Sequence, residues 1–221
     1  MKIRCVLFDF DGVIADTETS NSNYCAKAML ECGVVMTEEE KMSLVGAHGP
    51  DVFTRILSRA EKPRTVEEFR RIRASVGNTY EDGDLQAEPG LIPAIETLRA
   101  FGVKTGIVSS TNAHLILAGL NRLSMLPLFD LVLCGDMVKE HKPSPHPYQK
   151  AMKMLNMLPE ESLIVEDSPI GIHAGVASGA TVIAYTGGAV RQDTSEAPYA
   201  VSSFGDMIRL IREKGWVAGP N

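Results

Sequence analysis

The stretch Val6-Leu-Phe-Asp-Phe-Asp-Gly-Val ends an apolar run in two carboxylates, Asp9 and Asp11, followed at once by Gly12. In a strand, side chains at i and i+2 point to the same side. Both carboxylates can therefore face one site at a strand end. Burying an ionised carboxylate costs several kcal/mol unless a cation or hydrogen bonds compensate. A second acidic pair, Glu166 and Asp167, closes the apolar run that begins at Leu163. An isolated Asp-Gly turn would account for Asp11 and Gly12 alone. Two acidic pairs at the ends of buried strands point instead to a divalent cation with oxygen ligands. A calcium loop starting at Asp9 would need an oxygen ligand at its fifth position and glycine at its sixth, where this chain has Val13 and Ile14.

Two further segments bring complementary groups. The run Lys104–Ser109 leads into Ser109, Ser110, Thr111 and Asn112 just before a helical pattern, which supplies hydroxyls and free helix-terminal amides suited to a phosphate. Simple N-capping by Ser or Asn is the alternative use of these residues. In His-Lys-Pro-Ser-Pro-His-Pro-Tyr (141–148), Lys142 stands in a loop stiffened by Pro143 and Pro145. His141 and His146 could be imagined as metal ligands, but the nearby acidic cluster suits a hard cation better.

The elements that must position these groups follow from the apolar pattern. Ile3–Phe8, Lys104–Ser109, Leu131–Cys134, Leu163–Glu166 and Thr181–Ala184 are too short for helices and rich in β-branched residues, so they read as buried strands. Helical patterns lie between them at Ile92–Phe101, Ala113–Leu123, Pro147–Leu155 and Ile170–Ser178, with a last one near Asp206–Lys214. This alternation predicts a doubly wound α/β core around a parallel sheet. Residues 17–82 break the rhythm with four helical stretches, roughly Thr17–Cys32, Thr37–Leu44, Pro50–Ala60 and Thr65–Tyr80. Thr65 and Glu68 have capping-box spacing. The expected organisation is a core from residues 1–15 and 88–221 and a helical insert over 16–87, hinged as a lid over the strand ends.

With 221 residues, 44% of them hydrophobic, the chain can bury a sizeable core. No apolar run is long enough to span a bilayer and the N-terminus runs into a strand rather than a signal peptide, so a cytoplasmic location is expected. Cys5, Cys25, Cys32 and Cys134 lie scattered in apolar segments and read as reduced core residues. A net charge of −6 disfavours binding to nucleic acid or anionic membranes but leaves room for a small phosphorylated substrate.

Asp-Phe-Asp-Gly-Val (9–13), Ser109, Lys142 followed by Pro-x-Pro, and Glu166-Asp167-Ser-x-x-Gly occur in an order and on elements that resemble the haloacid dehalogenase superfamily. The resemblance spans nearly the whole chain and is to the branch with a helical cap after the first motif. It implies a Rossmann-like core with an inserted four-helix cap. It further implies that Asp9 is a nucleophile forming an aspartyl-phosphate and Asp11 the general acid and base. Mg2+ would be held by Asp9, the Asp11 carbonyl and Asp167, with Glu166 bound directly or through water. Ser109, Ser110 and Lys142 would bind phosphoryl oxygens.

The implied activity is a Mg2+-dependent phosphatase acting on a small phosphorylated metabolite, such as a sugar phosphate, by a monomer or small homo-oligomer. A β-phosphoglucomutase-like enzyme is the alternative, but its cap histidine and arginine are replaced here by Asn21 and Gly49. A phosphonatase would need a desolvated cap lysine, and Lys27 and Lys41 read as solvated. A catalytically silent phosphometabolite-binding protein is the alternative from another class. Specificity residues are expected at His48, Asn21 and Asn112, with Arg73 a weaker candidate.

Overall fold

The computed structural model describes residues 2–43 and 50–217. The chain divides into two compact units, one built from residues up to Asp16 and from Gln86 onward, the other from Thr17–Leu85. In the first, β1 (Cys5–Phe8), β2 (Lys104–Val108), β3 (Leu131–Leu133), β4 (Ser162–Glu166), β5 (Thr181–Tyr185) and β6 (Tyr199–Val201) form one sheet. Its order is β3-β2-β1-β4-β5-β6 and every pairing is parallel. The central strands β1 and β4 are buried along their whole length, which is why they read as continuous apolar runs rather than alternating ones. β6 lies outside the strands that the apolar pattern predicts. Of its three residues only Val201 is buried, so it leaves no apolar run to recognise.

α7 (His146–Leu155) and α8 (Pro169–Ala177) pack on the sheet, their buried Tyr148, Met152, Leu155 and Ile172 joining Leu7, Val108, Ile164 and Val182 in one core. α5 (Leu91–Ala100) and α9 (Phe204–Glu213) pack on each other, α5 against β2 and α9 against β6. There Phe204 stacks on Tyr185 with ring centroids 4.6 Å apart. α6 (Ala113–Arg122) follows β2.

The second unit is helical among its described residues: α1 (Glu18–Glu31), α2 (Glu38–Ser43), α3 (Pro50–Leu57) and α4 (Val66–Ser75). Its core gathers Ala28, Met29, Cys32, Val34, Ile56, Leu57 and Phe69. The capping box forms, with the Glu68 amide donating to Thr65 Oγ1 at 3.1 Å and the Thr65 amide to Glu68 Oε2 at 2.8 Å. α4 is shorter than its pattern suggests. It stops at Ser75 because Gly77 turns the chain with φ of 92°, in the left-handed region.

The register sets up the site. Phe8 pairs with Ile107 on one side and Val165 on the other, so Asp9, Ser109 and Glu166 emerge at the same carboxyl edge. The chain runs outward from β1 to β3 and then returns to place β4 beside β1. The β1/β4 crevice is thus the topological switch point, where open α/β sheets bind ligands. Ile164 is fully buried in this core. Ile164→Ala is expected to cost about 2–5 kcal/mol, seen as a lower urea midpoint with an unchanged slope.

Candidate active site

Asp9 follows β1 directly and is 8% exposed. Its backbone amide bonds the Val165 carbonyl at 3.0 Å, which prolongs the β1/β4 pairing by one residue. The Phe10 carbonyl then accepts from the amides of Val13, Ile14 and Ala15, and Gly12 takes φ of 78°. This tight turn brings the Gly12 Cα so near the Asp167 carboxylate that a side chain there would collide with it. Asp11 is half-buried, and its Oδ2 accepts from Thr111 Oγ1 at 3.1 Å.

Lys142 crosses from the loop before α7 into the crevice, where its side chain is 4% exposed. Its Nζ donates to Asp9 Oδ1 at 2.8 Å, Glu166 Oε1 at 2.7 Å and the Val108 carbonyl at 2.9 Å. Glu166 is fully buried and engaged at both oxygens. Oε1 takes Lys142 and the Tyr148 hydroxyl; Oε2 takes the amides of Asp167 and Ser168 and the Ser168 hydroxyl. Gly171 sits against this carboxylate, with no room for a Cβ, and this explains the glycine three residues after Ser168. Ser168 also caps α8 by accepting from the Gly171 amide at 3.2 Å.

Ser109 is buried, and its Oγ accepts from the Thr111 amide at 3.0 Å. Ser110 and Asn112 are exposed. Asn112 precedes α6 without capping it through its side chain; the Ala113 amide donates instead to Asp136 Oδ1 at 2.9 Å. Asn21 lies in the helical unit, where its Oδ1 accepts from Thr79 Oγ1 at 3.0 Å and Arg73 Nη2 at 3.4 Å. His48 lies outside the described residues. Three partners had no individual signal as partners in the sequence: Tyr148, Thr111 and Gln192, whose Nε2 donates to Asp167 Oδ2 at 3.2 Å.

Among the described residues, Asp9, Glu166 and Asp167 offer ligand atoms within 4.8 Å of one another, all buried. The donors are carboxylate oxygens, which suit a hard divalent cation. Charge points the same way. Asp9 and Glu166 both bond the Lys142 ammonium, with Asp11 near enough to Asp9 to raise its carboxyl and the Asp167 amide on Glu166. Burial pushes the Asp9 carboxyl up to about 7, reinforced by Glu166 and Asp11 and opposed by Lys142. Burial works against the charge on Lys142 too, but Asp9 and Glu166 outweigh it and hold the ammonium well above its ordinary value. The lysine stays charged, and the carboxylates compete for it.

The parallel sheet, with its switch point and acidic crevice, defines an α/β protein of Rossmann-like architecture. A family model for haloacid dehalogenase-like hydrolases matches residues 6–185, and the chain belongs to that family. A Thermotoga maritima phosphorylated carbohydrates phosphatase is 28% identical over 178 residues, covering 80% of this chain and 82% of that protein. An Aquifex aeolicus phosphoglycolate phosphatase is 26% identical over 95% of this chain and 97% of its own length. An Oceanobacillus iheyensis pyrophosphatase PpaX is 30% identical over 81% and 79%. The structure of CbbY from Rhodobacter sphaeroides in complex with phosphate shares the fold, with a TM-score of 0.74 at 24% identity over 93% of this chain and 96% of that one.

The raised Asp9 value has a consequence for stability. Its unfolded value is 3.8, so the folded protein keeps a proton that the unfolded chain has already released. Metal-free protein is therefore expected to lose stability from this group as the pH rises from about 4 to about 7, a slope absent from Asp9→Asn. Thermal melts of both proteins in EDTA across that range measure it. A divalent cation should raise the wild-type melting temperature most at the upper end.

Proposed function

We propose that this protein is a Mg2+-dependent phosphatase that hydrolyses a small phosphorylated metabolite through an aspartyl-phosphate. The observation that carries the reading is Asp9 at the switch point, held by Lys142 and two residues from an Asp11 that Thr111 orients. The Asp9 carboxylate attacks phosphorus, the bond to the leaving oxygen breaks, and Asp11 gives that oxygen its proton. Water then attacks the acyl phosphate, Asp11 takes the water's proton, and Asp9 leaves with its original bonds restored. Lys142 and Ser109, with the amide of Ser110, hold the phosphoryl oxygens through these steps.

Asp9, Asp167 and the Asp11 carbonyl would hold the cation, which lets the anionic carboxylate and phosphate approach each other. Glu166, also expected near the metal, has both oxygens committed to protein donors. It serves this reading best behind Lys142. The core unit is the catalytic domain and the helical unit, residues 17–85, its cap. A sugar phosphate or a related small phosphoester fits the relatives named for phosphorylated carbohydrates and phosphoglycolate. No described helix is long and apolar enough to cross a membrane.

Hydrolysis of p-nitrophenyl phosphate should require Mg2+ and stop with EDTA, and a screen of phosphorylated metabolites should identify the better substrates by released phosphate. Asp9→Asn should abolish turnover and acid-stable phosphate labelling. Asp11→Ala should still allow some label to form while turnover falls by about 10²–10⁴-fold. Substantial activity in Asp9→Asn would show that another group attacks phosphorus.

A further inference from the structure

We propose that Tyr148 is a positioning residue for Lys142, acting through Glu166. Tyr148 is the third residue of α7, fully buried among Val108, Leu133, Ala151 and Ile164. For apolar packing alone, phenylalanine would fill this place. A hydroxyl taken out of water adds no hydrophobic gain and is costly unless paired. The Tyr148 hydroxyl is paired, donating to Glu166 Oε1 at 2.9 Å. That same oxygen receives Lys142 Nζ at 2.7 Å, and Nζ lies 5.0 Å from the centroid of the Tyr148 ring.

One carboxylate oxygen thus divides its charge between a hydroxyl and an ammonium, while the other is saturated by the Asp167 and Ser168 amides and the Ser168 hydroxyl. Lys142 in turn divides its protons among Glu166, Asp9 and the Val108 carbonyl. Without the hydroxyl, Glu166 has only Lys142 on Oε1 and draws the ammonium toward itself, away from Asp9. The hydroxyl therefore sets how much of the lysine's charge faces the phosphoryl position. The reading of that position as a phosphoryl site rests on the function proposed above.

Tyr148→Phe keeps the ring, its packing and its contact with the ammonium, and removes only the donor. The probe is inorganic phosphate with MgCl2, read as the concentration giving half-maximal thermal stabilisation, beside KM and kcat for p-nitrophenyl phosphate. Tyr148→Phe is expected to weaken phosphate binding and raise KM by about five- to tenfold, with kcat changed less than about twofold. In a Glu166→Gln background, where the carboxylate charge is gone, the same substitution should change phosphate affinity by less than about twofold.

A merely structural tyrosine would lower the melting temperature and leave phosphate affinity in place. Phosphate affinity within about twofold of wild type in Tyr148→Phe, or an undiminished effect in the Glu166→Gln background, overturns the proposal. The phosphate arm does not depend on turnover. Wild-type protein that binds phosphate but never hydrolyses the ester overturns the phosphatase reading alone, and weaker phosphate binding in Tyr148→Phe still supports the role of the hydroxyl.

Discussion

The Lys142 ammonium, buried between Asp9, Glu166 and the Val108 carbonyl, sets the terms for the rest of the core. A charge in that position is tolerable only if every proton on it is bonded and opposite charge stands close. Three strands meet the condition together. β1 delivers Asp9, β2 ends in the Val108 carbonyl, and β4 ends in Glu166. Parallel pairing of β1 with both neighbours puts these ends level, and slipping any strand by one residue would turn the wrong side chain toward the lysine. The sheet's topology and the charge cluster are one constraint seen at two scales.

Glycine positions follow from the same constraint. Gly171 lets α8 begin against the Glu166 carboxylate, so that the amides of Asp167 and Ser168 can reach it. Gly12 lets the turn after Asp11 pass close beside Asp167. Each removes a side chain where two acidic groups need main chain nearby. Burial is the main cause of the rise of Asp9 to about 7; Lys142 opposes it, and the neighbouring Glu166 and Asp11 carboxylates add to it. A bound cation reverses it, because a positive charge beside Asp9 favours the ionised form.

The sequence carried the fold where burial is uniform and lost it where burial is partial. β1, β4 and β5 are buried apolar runs that stand out from their flanks, whereas β6 has one buried residue and no such contrast. The polar pattern of α4 continues past Gly77, whose positive φ ends the helix, so the pattern alone suggests a longer helix than forms. For the site, Asp9, Ser109 and Glu166 each stand at the end of an apolar run and Lys142 in a proline-flanked loop, which are local signals. Their partners are not local: Thr111 meets Asp11, Tyr148 meets Glu166, and Gln192 meets Asp167 through side chains brought together only by the folded sheet. Asn112 illustrates the converse, a residue with the right type and place to cap α6 that yields that task to Asp136 from another loop.

The helical unit shows why phosphoryl chemistry and substrate choice are legible to different degrees. The chemistry needs charged groups at fixed strand ends, whereas selection of a leaving group can rest on a few neutral donors. Asn21 is such a group. Its Oδ1 accepts from Thr79 and Arg73 within the helical unit, and its Nδ2 amide is the donor end of the side chain. An amide donates to a hydroxyl or an oxyanion but does not ionise, so it cannot pass a proton as an imidazole would.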